Sequence, residues 1–130
     1  MNNPGGAVPD PATTDVTNPL SATDFHVLMV LAEGPSYGYA IMKSVVDHSG
    51  GTVSPDIGSL YRVLARLMGQ GWVDQASAPA DAPPASRGRA RRYYALTPEG
   101  KTVALTEAGR LARVVDLARE RDLLSPERAS

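Results

Sequence analysis

Residues 54–69 read Ser-Pro-Asp-Ile-Gly-Ser-Leu-Tyr-Arg-Val-Leu-Ala-Arg-Leu-Met-Gly, the clearest helical pattern in the chain. Ile57, Leu60, Tyr61, Leu64, Leu67 and Met68 fall at i, i+3, i+4, i+7, i+10 and i+11, which is one face of an α-helix throughout. Ser54 suits the N-cap, Pro55 the first helical position, and Asp56 the positive end of the macrodipole. Gly69 and Gly71 stop the helix. With the apolar stripe turned inward, the opposite face holds Asp56, Ser59, Arg62 and Arg66.

Toward the N-terminus the spacing predicts a helix over Ser36–His48, with Ile41 and Val45 four apart and Ser49-Gly50-Gly51 ending it. Before it, a helix runs from about Ser21 to Ala32. Ser21 and Asp24 resemble a capping box, and Phe25, Leu28, Met29 and Ala32 form its buried stripe. Gly34-Pro35 ends that helix. His26 has no partner nearby in sequence and reads as a packed or surface side chain rather than a ligand.

Toward the C-terminus, Trp72–Ala76 and Arg91–Leu96 read as two short strands, with Trp72 anchored in the core. Residues 77–90 between them, rich in Pro, Ala, Ser, Asp and Gly, end in Arg87-Gly88-Arg89 and make the long tip of a hairpin. Alternation places Tyr94 and Leu96 inward and Tyr93 outward. Thr97-Pro98-Glu99 starts a last helix that runs to about Asp122. Ala104, Ala108, Leu111, Val115 and Ala118 alternate four and three apart, the spacing of a helix–helix seam, and Leu105, Val114 and Leu117 widen it. A second copy of the chain would cover this face; packing on its own domain is the alternative. Leu123-Leu124 is a candidate last buried contact.

The chain has 130 residues, enough for one domain. Residues 1–19, with four prolines, have too little apolar surface to offset their ordering entropy and read as a disordered tail. Residues 20–97 form the folded unit, 98–124 the last helix, and 125–130 a frayed end. There is no cysteine, which excludes disulfides, thiolate metal sites and a cysteine nucleophile. The longest apolar run, Val27–Ala32, is far short of the roughly 20 residues that span a bilayer, and no signal peptide is read. These features predict a soluble, cytoplasmic protein with no membrane partner.

The net charge of −1 excludes a protein that coats nucleic acid by charge alone, but the total hides an asymmetry. Residues 1–59 hold one base and six acids, −5; residues 60–130 hold twelve bases and eight acids, +4.

The order of three helices, strand, basic loop and strand predicts a mainly α fold with a small β-hairpin: a winged helix-turn-helix with a C-terminal dimerisation helix. In that arrangement the third helix presents Asp56, Ser59, Arg62 and Arg66 to the major groove, and Gly58 lets a phosphate or base edge approach. Arg87, Arg89, Arg91 and Arg92 lie in the wing, suited to phosphate or the minor groove. Two basic groups in the two elements that meet DNA point to nucleic-acid binding. A winged-helix protein-interaction module without DNA is the alternative. Two separated histidines, no metal-ligand spacing and no phosphate-cradling loop argue against an enzyme, a metal or a cofactor.

At these residues the sequence resembles the PadR-like transcriptional regulators. Gly38-Tyr39 with Ile41 is similar to the family's His-Gly-Tyr-Glu-Ile/Leu segment. Gly58-Ser59-Leu60-Tyr61, then Leu64 and Arg66-Leu67, is similar to its Gly-Thr-Leu-Tyr-Pro-x-Leu-x-Arg-Leu recognition helix. Arg92-Tyr93-Tyr94 and Leu96-Thr97-Pro98-Glu99-Gly100 resemble its Arg-x-Tyr-Tyr-x-Leu-Thr-x-x-Gly segment. The resemblance spans about residues 20–120 and is of the short type with one C-terminal helix. It implies a homodimeric repressor on a palindromic operator, joined by its last helices, with DNA contacts from Tyr39, Ser59, Tyr61 and the wing arginines. Tyr37 replaces the family's usual His and joins that set; Ala40 replaces Glu, and Arg62 replaces the common Pro. The resemblance also implies a possible small aromatic effector inside the dimer, between Phe25 and Met29 of the first helix and Leu111 and Val115 of the last. A closed dimer core is the alternative.

Tyr61 has two readings, a buried stripe position by periodicity and a phosphate contact by resemblance. Both hold if the ring packs at the edge and its tip stays wet.

Overall fold

The computed structural model describes residues 19–82 and 91–124. The expected tail, the wing tip with Arg87 and Arg89, and the last six residues lie outside the described residues, apart from Pro19 and the flanks of the tip.

Helix α1 spans Ala22–Ala32, and the Ser21 hydroxyl caps it by accepting the Asp24 N–H at 3.1 Å. The expected stripe is corrected. Val27, Leu28, Val30 and Leu31 are buried, while Phe25 and Met29 are half-buried and Ala32 is exposed. The helix is covered from several sides, by α2 (Gly38–His48), by α4 (Pro98–Glu120) and by the sheet, so its burial wraps around rather than following one stripe.

The second helix starts at Gly38, not Ser36, because Ser36–Tyr37 forms a strand, β1. It pairs antiparallel with β3 (Tyr93–Leu96), Ser36 opposite Tyr94 and Tyr37 opposite Tyr93. Strand β2 (Val73–Ala76) pairs with the other edge of β3, from Val73 opposite Leu96 to Ala76 opposite Tyr93. The expected two-stranded hairpin is thus a three-stranded sheet in the order β1-β3-β2. That third strand also corrects Tyr93. It is buried like Tyr94, since the Tyr37 ring lies edge-on against it with centroids 5.5 Å apart. Leu96 is half-buried.

Helix α3 spans Ile57–Gly69, and its N-cap is Asp56 rather than Ser54: the carboxylate accepts the Ser59 N–H at 2.7 Å. Leu60, Leu64 and Leu67 are fully buried, each stabilising the fold by about 1.5–3 kcal/mol relative to exposure. The inward stripe is narrower than periodicity predicted, with Ile57 39% and Tyr61 47% exposed. The helix ends in a Schellman motif. Gly71 takes a left-handed φ of 83°, its N–H reaches Met68 O, and the Trp72 N–H reaches Leu67 O. This turn delivers Trp72 into the core, as expected.

Thr97 caps α4. Its hydroxyl accepts the Gly100 N–H at 3.0 Å and donates to Gly71 O at 2.6 Å. A Cβ on Gly100 would collide with the Trp72 carbonyl, so the first turn of α4 rests directly on backbone. Val103 and Glu107 are buried, and beyond Glu107 no described residue of the helix is buried, with Leu111 and Ala118 half-buried. Leu123 is 75% exposed, which corrects its expected role as a buried contact.

Candidate nucleic-acid interface

The outward face of α3 follows from its three buried leucines. Gly58, Tyr61, Arg62, Ala65 and Gly69, at i, i+3, i+4, i+7 and i+11, are all exposed. Arg62 lies at the centre of this face, opposite the leucines. Its Nη2 donates to Ser59 Oγ at 3.1 Å. The Ser59 backbone N–H, and less strongly its hydroxyl and Arg62, hold the Asp56 carboxyl below the usual carboxylate range. Ile57 and Ala65 belong to the exposed surface and were missed in the sequence. Counting three, four and seven from Gly58 would have found Ala65. A Cβ on Gly58 would meet only Asp56 Oδ1, at an ordinary 3.6 Å. Nothing inside the fold therefore requires glycine there.

Two flanking side chains hold the helix. Arg66 was expected on the outward face, but both its terminal nitrogens donate to Asp24, at 2.9 and 2.8 Å. That bonding raises the pKa of Arg66 and keeps it charged. On the other flank, the Tyr61 ring lies against Gly38. A Cβ added there would be 2.5 Å from the tyrosine hydroxyl. Tyr61 is thus an edge residue with a packed ring and an exposed side, not a core residue.

Around the sheet, Arg91 lies over the Tyr37 ring at 4.5 Å, and Tyr37 in turn covers Tyr93. This stack fastens the base of the wing to the start of α2, with a cation–π contribution of about 0.5–1 kcal/mol. Arg92 is exposed beside it, and Tyr39 is 59% exposed at the start of α2.

The expected seam on α4 is mixed within one chain. Ala104, Leu111 and Ala118 are half-buried; Ala108 and Val115 are exposed. Leu105, Val114 and Leu117 beside them are 63%, 48% and 50% exposed. Phe25, Met29 and Leu111 are half-buried and Val115 is exposed. Two surface hollows lie elsewhere, one between Leu31, Pro35, Leu96 and Lys101, the other between Asp24, Ser54, Ser59 and Arg66. No group of His, Asp or Glu suited to a metal occurs among the described residues. Among them, too, no helix is long and apolar enough to cross a membrane.

The transcriptional regulator PadR-like family matches residues 27–107. The chain belongs to the PadR-like family. Its members are regulators of transcription rather than enzymes. An uncharacterised 37.1 kDa protein in transposon TN4556 of Streptomyces fradiae is 39% identical over 88 residues, 68% of this chain and 22% of that protein. The chain therefore spans about a fifth of that relative's length. A PadR family transcription regulator from Clostridium difficile has a similar structure, with TM-score 0.61 and 21% identity, covering 77% of this chain and 97% of that one. Bacillus subtilis PadR, solved in complex with operator DNA, gives TM-score 0.53 and 21% identity, covering 65% and 45%. These likenesses confirm the PadR winged-helix fold, mainly helical with a small antiparallel sheet and a C-terminal helix.

Proposed function

We propose that this PadR-like chain is a cytoplasmic, homodimeric repressor that binds a palindromic operator and is released by a small, flat or aromatic effector. The observation that carries the reading is the outward face of α3: Gly58, Tyr61, Arg62 and Ala65, exposed together on a helix held firmly from behind. A helix presented this way fits the major groove, with Ser59 and Arg62 as its polar contacts. Tyr39 and Tyr61 offer hydroxyls to phosphate, and Tyr37 acts by holding the wing. Arg87, Arg89 and Arg91 of the wing bind the backbone or minor groove. Bacillus subtilis PadR, seen with operator DNA, supports the same use of the fold.

Dimerisation accounts for the apolar surface that α4 leaves exposed at Leu105, Val114, Val115 and Leu117. The seam Ala104, Ala108, Leu111, Val115 and Ala118 would meet its symmetry mate. The effector would lie where Phe25 and Met29 of one copy approach Leu111 and Val115. Residues 20–97 then serve as the DNA-binding domain and 98–124 as the dimerisation helix. Enrichment of genomic DNA fragments on the purified full-length chain, followed by a compound screen for release, tests both halves. Enrichment of a palindrome supports the reading; recovery of random fragments contradicts it.

A further inference from the structure

We propose that Arg62 is the specificity-determining residue of this interface and reads one guanine edge in each operator half-site. This inference rests on the DNA-binding reading above and deepens it. The helix α3 carries two arginines, and their surroundings assign them different work. Arg66 has both terminal nitrogens on the Asp24 carboxylate, at 2.9 and 2.8 Å, and lies on the flank facing α1. Arg62 lies at the centre of the outward face and, among the described residues, makes a single hydrogen bond, from Nη2 to the neutral Ser59 hydroxyl at 3.1 Å.

A guanidinium has five N–H donors in a rigid fork. One bond to Ser59 leaves a bidentate pair for an acceptor outside the protein. Guanine, with its O6 and N7 acceptors side by side, is the base edge that matches this fork. The same bond narrows the rotamers of a long, flexible side chain before DNA arrives, which lowers the ordering cost of binding. Asp56 adds negative charge on the same turn, since its carboxylate caps Ser59. It discourages Arg62 from settling on a phosphate near the helix start. Gly58 and Ala65, one turn before and after on the same face, are too small to hold the fork away from the groove floor. The PadR-like segment resembled here has proline at this position, so the reading belongs to this chain rather than to the family pattern.

The test selects duplexes from a random-sequence library with the full-length wild type and with Arg62→Ala and Arg62→Gln. Thermal melts confirm that each variant is folded. The wild type should enrich a guanine at one position per half-site. Arg62→Ala should lose that preference alone and bind the wild-type site about ten- to a hundredfold more weakly. Its salt dependence should stay unchanged, because a base contact releases no phosphate counterion. Arg62→Gln should move the preference at that position toward adenine. An unchanged consensus in both variants overturns the inference and leaves DNA binding standing. A uniform loss over all sequences, with the salt slope reduced by about one, makes Arg62 a phosphate contact and also overturns it. If the wild type enriches no duplex at all, the DNA-binding reading fails and the inference falls with it.

Discussion

Arg66 and Asp24 are joined by two charge-assisted hydrogen bonds, 2.9 and 2.8 Å long, that tie the third helix to the start of the first. The two partners are unequally buried, with side-chain exposures of 49% and 9%. Removing Asp24 leaves an arginine that can turn to water; removing Arg66 leaves a carboxylate with little access to it. Arg66→Ala should therefore destabilise the fold by about 1–3 kcal/mol, and Asp24→Ala by less. Urea unfolding of both variants measures the asymmetry. Full stability in Arg66→Ala together with abolished DNA binding would instead make Arg66 a direct contact.

Gly58 separates the needs of the fold from those of the ligand. A methyl group there meets only ordinary contact, and alanine is the better helix former. Gly58→Ala should leave stability unchanged or raise it by up to about 1 kcal/mol, yet weaken operator binding. A thermal melt paired with a gel shift checks this. Unchanged affinity would show that nothing approaches closely at this position.

Glu107 gives the fold an acid-sensitive anchor. Its carboxylate is bonded by Arg110 at 2.9 and 2.6 Å, and that bond, with smaller help from the Leu20 backbone N–H, lowers its pKa from the ordinary 4.5. A carboxylate with a depressed folded pKa adds stability above its unfolded pKa and loses it as pH falls through the folded value. Glu107→Gln should thus be less stable than wild type at pH 7. The difference should shrink as pH drops below about 4.5. Denaturation at a series of pH values follows it; a gap that widens toward acid would show the opposite linkage.

The exposed apolar side of α4 predicts self-association. The wild type should sediment with the mass of two chains, and Val115→Glu as one, with its helical content retained. A monomeric wild type at micromolar concentration would remove the α4 seam from the account.

The wing makes a separate electrostatic prediction. Replacing Arg87, Arg89 and Arg91 together with Ala should weaken binding and reduce the salt slope by about one for each phosphate no longer neutralised. Binding unchanged across the salt series would exclude the wing from the interface.

Much of this architecture is legible in the sequence because it is local. The spacing of Leu60, Leu64 and Leu67, the Thr97 cap and the glycine after α3 are all decided within one or two turns. What escaped is decided between distant segments. Ser36–Tyr37 carries no strand pattern of its own and becomes β1 by pairing with the free edge of β3. Tyr93 is then buried by Tyr37, against simple alternation. Arg66 has the periodicity of a surface residue, and its partner lies 42 residues earlier. For Tyr61 periodicity alone gives the inner stripe, and the edge position comes from Gly38, which leaves a shallow seat for its ring. The sequence pattern puts Asp56, Ser59, Arg62 and Arg66, with Gly58, on the candidate face of α3; the exposed face centres on Gly58, Arg62 and Ala65.

The most direct test of DNA recognition is an anisotropy titration of the full-length chain against its selected palindrome and a scrambled duplex at several salt concentrations. The account predicts that the palindrome binds at least about a thousandfold more tightly at physiological salt, with an affinity that falls linearly on a log–log salt plot. Equal affinity for both duplexes, or no binding to either, would contradict it.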